Sequence, residues 1–269
     1  MLNLDAYFTR IGYTGPRTPN LATVQAIHAL HAAAIPFENL DPFLGRPVSV
    51  DLGDVQDKLV ARKRGGYCFE QNTLFRAVLE ALGLSVTTLL ARVYWNIPPD
   101  APTPPRTHMI LRTTIDGLDI IADVGFGGHL LAHPYALRAD SEQEVGLATL
   151  RLIDEGPQHL LQVRGGDDWR AIYRFTLEPA APVDIELANW FTATHPESRF
   201  RKLLILQRLL PDARLVLLNR HFTRRSPGGK AETSLIADAP ALAKVLAAEF
   251  GIVAPPDDAQ AILAKLPSA

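Results

Sequence analysis

The sequence is poor in cysteine and carries no surplus charge of either sign. Among 269 residues there is one cysteine, Cys68, with two methionines and three tryptophans. A lone cysteine closes no internal disulfide, and neither a Cys-x-x-Cys nor a His-Glu-x-x-His motif occurs, so no metal motif is expected. Basic and acidic residues nearly cancel, 27 against 29, which argues against a nucleic-acid protein while leaving room for a local basic patch facing an anionic ligand. No apolar run reaches the roughly 18 residues of a membrane span. Met1-Leu2-Asn3-Leu4-Asp5 lacks the basic and apolar regions of a signal peptide, so the cytoplasm is the expected location. Gly125-Phe126-Gly127-Gly128 lacks the third glycine and following helix of a dinucleotide site, and Gly228-Gly229-Lys230 lacks the earlier glycine of a P-loop. No internal repeat is evident.

What is present is an ordinary globular composition, 47% hydrophobic and 21% charged. Single cores stop growing near about 250 to 300 residues, so two or three tightly packed subdomains are expected. The stretch Arg64-Gly65-Gly66-Tyr67-Cys68-Phe69-Glu70-Gln71-Asn72 places the single thiol where an apolar helical pattern begins. The free N–H groups and macrodipole of a helix start favour a thiolate, and cysteines so placed titrate at roughly 3.5 to 7.5 instead of about 8.5. The competing interpretation is a buried cysteine acting as a small hydrophobe.

Asn20 caps a helix in which Leu21, Val24, Ile27, Leu30 and Ala34 recur until Pro36. His28 and His31 within it form a satisfied pair rather than a metal site, because no third ligand accompanies them. Residues 37–42 read as a connector, followed by a short helix with Leu52, Val55 and Leu59 inward. A helix over 68–82 ends at Gly83, so the first third is a small helical bundle. From Val86 to Trp95 the residues turn β-branched and aromatic, and after the Pro98–Pro105 loop two strands, 107–115 and 118–124, flank Asp116-Gly117, a strong hairpin signal. Further strands at 148–153, 159–164 and 169–177 make the middle third an antiparallel sheet or barrel. A short helix over 185–193, strands over 202–209 and 214–218, and helices over 240–250 and 257–266 complete the chain.

The two-residue turn sets a register. Ile115 pairs with Leu118, hence Ile110 with Asp123, and His108, Ile110, Arg112, Asp119, Ile121 and Asp123 share one face. The face carrying Met109, Leu111, Ile115, Leu118, Ile120, Ala122 and Val124 is assigned to the core. His108 is diagonal to Asp123 at about 7 to 8 Å between Cα atoms, within side-chain reach. Cys68, His108 and Asp123 thus offer a nucleophile, a base and a carboxylate to orient that base, the parts of an acyl-transferring thiol triad. Backbone N–H groups at the helix start could stabilise an oxyanion. His195 is the reserve base, and Gly125 to Gly128 reads as a mobile loop with Phe126 at its tip.

These motifs resemble those of the arylamine N-acetyltransferases: the Cys68 stretch, Thr107-His108-Met109, and Ala122-Asp123-Val124-Gly125-Phe126-Gly127-Gly128. Tyr7–Tyr13, Pro36–Leu40 and Thr194–Phe200 add to the likeness, and beyond Leu203 it lies in architecture alone. The resemblance implies an α+β fold with a cysteine-protease-like triad core. Its parts are a helical bundle (1–84) carrying the cysteine, an antiparallel β-barrel (85–200) carrying histidine and aspartate with a connecting helix, and an α/β lid (201–269). It implies a ping-pong reaction in which acetyl-coenzyme A acetylates Cys68, with His108 as base and Asp123 as orienting acid, before an arylamine, arylhydroxylamine or hydrazine takes the acetyl group. Phe37, Phe69, Phe126 and Phe200 match the acceptor pocket, Gly127 and Gly128 the coenzyme A site, and Arg64 with Glu38 a structural ion pair. The segment 224–230 could be a cofactor-facing basic loop or a solvated turn. A monomer or homodimer without metal is expected. The rivals are a Cys-His-Asp hydrolase, a relative with another acyl donor or amide-synthase activity, and a binding protein with a vestigial site.

Overall fold

In the computed structural model, which describes residues 1–98, 100–226 and 230–267, the chain is α+β, with two antiparallel sheets among those residues. Its helical layer comprises α1 (Leu4–Ile11), α2 (Leu21–Ala34), α3 (Leu40–Leu44), α4 (Leu52–Gln56) with a π-helical turn (Asp57–Ala61), and α5 (Cys68–Ala81). Strand β1 (Phe37–Glu38) lies between α2 and α3. The barrel strands are β2 (Val86–Val93), β3 (Arg106–Ile115), β4 (Leu118–Ala122), β5 (Tyr135–Ala136), β6 (Glu142–Val145), β7 (Ala148–Glu155), β8 (Gln158–Gly165) and β9 (Asp168–Phe175). They pair in the order β5-β4-β3-β2-β9-β8-β7-β6, so consecutive strands end the sheet and it nearly closes. Helices α6 (Pro182–Thr194) and α7 (Arg199–Lys202) lead into β10 (Ile205–Leu210), β11 (Ala213–Leu218), β12 (His221–Arg225) and β13 (Ala231–Leu235), then α8 (Ala239–Phe250) and α9 (Pro256–Lys265). No described helix is long and apolar enough to cross a membrane.

Local chemistry sets the elements that matter. The Asn20 side chain accepts from the Thr23 N–H at the start of α2, and Gly83 takes φ +93° after α5. Asp116 and Gly117 both adopt positive φ, the primed hairpin turn, and the register follows as expected: Ile115 opposite Leu118, Thr113 opposite Ile120, Leu111 opposite Ala122. The hairpin differs from expectation in its burial. Met109, Leu111, Ile120, Ala122 and Val124 pack on the helical layer, but Ile110 and Ile121 are equally buried inside the barrel. A sheet covered by helices outside and closed on itself inside has no solvent face. Leu118, placed in the core by pattern, is exposed beside the turn.

Other departures share a cause in short or polar segments. Helix α1 was not expected; Asn3 caps it, Gly12 ends it, and only Tyr7, Phe8 and Ile11 face inward. The connector at 37–42 holds β1 and the start of α3, with β1 pairing β10 so that Phe37 lies opposite Gln207. Residues from the first segment therefore join the C-terminal sheet. Strands β12 and β13 carry no apolar alternation, and β13 is exposed throughout. Of the loops singled out from sequence, Pro99 and Pro227-Gly228-Gly229 lie outside the described residues.

Candidate active site

Helix α5 places Cys68 at its first position. The Tyr67 N–H donates to Glu70 Oε2 at 3.1 Å, closing the turn ahead of the cysteine. Glu70 itself bonds Lys58 at 2.7 Å, Lys58 bonds Asp41 at 2.6 Å, and Arg64 bridges Glu38 at 2.6 Å and Asp41 at 3.3 Å. This buried ionic cluster clamps the loop before α5, in agreement with the structural role assigned to Arg64 and Glu38. Burial, and then neighbouring Glu38, outweigh Lys58 and push Glu70 up to about 7.

The loop after β4 closes on the other side of the same helix start. A Cβ on Gly125 would lie 2.7 Å from Cys68 Cα and 3.0 Å from Asn72 Nδ2, so only glycine permits this approach. The docking joins barrel to bundle, and Cys68, His108 and Asp123 all lie within it, 2%, 2% and 0% exposed. His108 Nε2 meets Asp123 Oδ2 at 2.7 Å. Asp123 also accepts from Tyr173 Oη at 3.1 Å, Asn72 Nδ2 at 3.1 Å and its own loop's Gly125 N–H at 3.0 Å, which fills its lone pairs. Burial would raise Asp123, yet His108 and these donors hold it below the usual carboxylate range. Burial likewise opposes an imidazolium at His108, but Asp123, followed by Cys68, raises it to about 10. Cys68 Sγ lies 3.7 Å from the Thr107 carbonyl, one residue before the histidine. Nε2 is taken by Asp123, leaving Nδ1 for the thiol.

A cavity of about 900 Å³ opens over this group. Cys68, His108, Phe37, Phe126, Phe200, Gly127 and Gly128 line it. Phe69 does not; it is fully buried against Tyr67. Phe126 is no mobile tip: it is 3% exposed, with its ring 5.1 Å from His108 and 5.4 Å from Tyr173. His195 stacks on Phe191 outside the cavity wall. His159 pairs with Asp154 at 2.5 Å, its ring against Phe175.

Three residues that sequence reasoning did not connect to the site hold it. Asn72 donates to Met109 O at 2.7 Å as well as to Asp123; it lies one helical turn after Cys68, a spacing that could have found it. Tyr173 comes from β9 and needs barrel closure to be seen. His28, expected as a structural histidine, accepts from the Asp123 N–H at 3.3 Å while Nδ1 bonds the Ala132 carbonyl at 3.1 Å. Its neighbour His31 bonds Gln71 and Tyr7, and burial holds the pair neutral, at about 4 and about 3. Among the described residues no group of three or more potential metal ligands occurs.

With this geometry in view, comparisons with known proteins are direct. A family model described as N-acetyltransferase matches residues 20–258. The chain is 41% identical over 255 residues to the arylamine N-acetyltransferase of Mycobacterium tuberculosis, covering 93% of this chain and 89% of that protein. It is 39% identical over 250 residues to the arylamine N-acetyltransferase / N-hydroxyarylamine O-acetyltransferase of Salmonella typhimurium, covering 93% and 88%. The structure of Mycobacterium marinum arylamine N-acetyltransferase in complex with CoA superposes with a TM-score of 0.94 at 38% identity, over 98% of this chain and 99% of that one. Likeness of this extent, in sequence and in fold, makes this chain a member of the arylamine N-acetyltransferase family of acyltransferases.

Proposed function

We propose that the protein moves an acetyl group from acetyl-coenzyme A to the nitrogen of arylamines, arylhydroxylamines or arylhydrazines through an acetyl-Cys68 thioester. The observation that carries this reading is the buried His108–Asp123 pair, 2.7 Å between Nε2 and Oδ2, beside the only cysteine and under a cavity with aromatic walls. In this reading His108 holds the proton, and the Cys68 sulfur attacks the donor's carbonyl carbon as a thiolate. The carbon–sulfur bond to coenzyme A breaks, and the departing thiolate takes the proton from His108. An arylamine, uncharged at neutral pH, then attacks the thioester carbon; the bond to Cys68 breaks and His108 accepts the amine proton. Asp123, held by four donors, orients His108 and offsets its charge. Backbone N–H groups at the start of α5 face the oxyanion of each tetrahedral intermediate. Phe37, Phe126 and Phe200 shape the acceptor's ring site, and Gly127 and Gly128 leave room for the donor.

The test is release of free coenzyme A from acetyl-coenzyme A over a panel of arylamines and hydrazines. Acceptor-dependent release is expected, lost in Cys68→Ala; a panel with no acceptor-dependent release would reject the reading.

A further inference from the structure

Helix α2 carries a completely buried histidine, His28, whose two ring nitrogens meet the backbone at either end of the glycine loop. The β3–β4 ladder ends with Leu111 opposite Ala122, so the Asp123 N–H lies one residue beyond it and needs another acceptor. His28 Nε2 supplies it at 3.3 Å, and Nδ1 lies 3.1 Å from the Ala132 carbonyl. A carbonyl only accepts and an amide N–H only donates, so these two partners admit one form of the ring, neutral with its proton on Nδ1. Burial lowers His28 to about 4 despite the attraction of Asp123, which leaves the ring neutral near pH 7. Phe75 of α5 stands edge-on to it, ring centroids 5.5 Å apart, and holds its plane.

What the site takes from this loop lies between the two anchors. Asp123 orients His108, Gly125 presses on Cys68 Cα, and Phe126, Gly127 and Gly128 line the cavity. The far anchor is doubled by the next residue, since His133 Nδ1 meets the Gln25 carbonyl of α2 at 3.3 Å. At the near end two helices hold successive amides: His28 of α2 takes the Asp123 N–H, and Asn72 Oδ1 of α5 takes the Val124 N–H at 3.2 Å. Releasing the first lets the Asp123 backbone shift, and its carboxylate moves with it relative to His108 Nε2, a displacement to which proton-transfer geometry is sensitive.

We propose that His28 is a positioning residue that latches both ends of the 123–132 loop to α2 through its Nδ1–H tautomer and so sets the Asp123 carboxylate against His108. The inference rests on Asp123 being the residue that orients His108. His28 faces Asp123, His133 and, on its own helix, His31; His108 faces Asp123, Cys68 and Tyr173. Asp123 is the one group common to both sets, so the latch acts on His108 through it.

The experiment uses the full chain. In the unmodified protein at neutral pH, imidazole 15N NMR is expected to show His28 uncharged with its proton on Nδ1; the other tautomer or an imidazolium would overturn the proposal whether or not any variant folds. Three variants then separate the two bonds. His28→Gln brings an amide oxygen to the Nε2 place and keeps an acceptor for Asp123, His28→Asn brings its amide to the Nδ1 place and keeps the Ala132 bond alone, and His28→Leu removes both. The kcat for coenzyme A release with an arylamine is expected to fall about tenfold in His28→Leu and His28→Asn, with KM for acetyl-coenzyme A changed by less than about twofold, and to stay within about threefold in His28→Gln. The alkaline limb of kcat/KM moves to lower pH in the Leu and Asn variants, because a displaced Asp123 supports the imidazolium less. Equal losses of kcat in all three variants, or a lowered Tm with kcat and the limb unchanged, would make His28 a packing residue and overturn it. If the unmodified protein releases no coenzyme A with any acceptor, the acetyl-transfer reading fails by itself; the His108–Asp123 pair is then followed through the pH dependence of Cys68 alkylation by iodoacetamide, which needs no acyl donor. A profile shifted in His28→Leu and restored in His28→Gln upholds the latch, and profiles identical to the unmodified protein overturn it.

Discussion

Two buried charged clusters flank the first turn of α5, and they are built for different ends. One joins Glu38, Asp41, Lys58, Arg64 and Glu70, in which each cation bridges two carboxylates and Glu38 has no exposed side-chain surface. The other joins His108 and Asp123 with donors from Asn72, Tyr173 and Gly125. The first lies away from the cavity and ties loops together. The second opens on a cavity beside a thiol, and its histidine keeps one ring nitrogen free of the carboxylate. Perturbed protonation therefore marks a functional site here only when it coincides with access and a nucleophile; Glu70, raised to about 7, has neither.

The largest effect that separates the clusters is expected from Cys68→Ala. Turnover falls by on the order of 10³-fold or more while stability changes by about 1 kcal/mol or less, compared by steady-state kinetics and denaturant titration. Arg64→Ala reverses that pattern. It strands the fully buried Glu38 carboxylate at a cost of about 3 to 5 kcal/mol, with kcat of the folded fraction nearly unchanged. Gly125→Ala sits between the two, since its Cβ must push against Cys68 Cα, a backbone atom that cannot give; a loss of about 10²-fold in kcat/KM is expected.

The pH dependence sharpens the contrast. Glu70 has its folded pKa raised to about 7, from an unfolded value near 4.3, so its stabilising contribution is full below about 4.3 and lost as pH rises through 7. Glu70→Gln should flatten the fall of Tm over that window. His108 is raised to about 10 from about 6.5, so the imidazolium contribution is full below 6.5 and disappears as pH rises through 10, which should appear as an alkaline limb in kcat/KM. Asp123 works in the opposite direction: its contribution is present above about 3.9 and lost as pH falls through its depressed value. Smallest of all is Tyr173→Phe, which removes one of four donors to Asp123 and should cost only a few-fold in kcat.

Sequence reasoning reached the parts of the site that are local. The Asp116-Gly117 turn gave the hairpin register, and the spacing about it brought His108 to Asp123 without reference to any relative. It could not bring Cys68 to them, because that contact depends on how α5 docks on the barrel, and the docking is set by Gly125 against Cys68 Cα and by Asn72 spanning Met109 and Asp123. Tyr173 was invisible for the same reason: its partner is 50 residues away and meets it only when β9 pairs with β2. Phe69 was assigned to the pocket by position within a motif, but helix geometry turns it into the bundle core. Amphipathic pattern found the long helices and barrel strands; it missed β12, where Phe222 is the single large apolar residue, and β13, exposed throughout, as well as α1, too short for a repeat to show.

The central claim is that the acetyl group rests on Cys68 between donor and acceptor. Intact-protein mass spectrometry after mixing with acetyl-coenzyme A and no acceptor tests it most directly. One added acetyl group, mapped to the Cys68 peptide and discharged when an arylamine is supplied, is the expected result. Acceptor-dependent release of coenzyme A without any such adduct would contradict it.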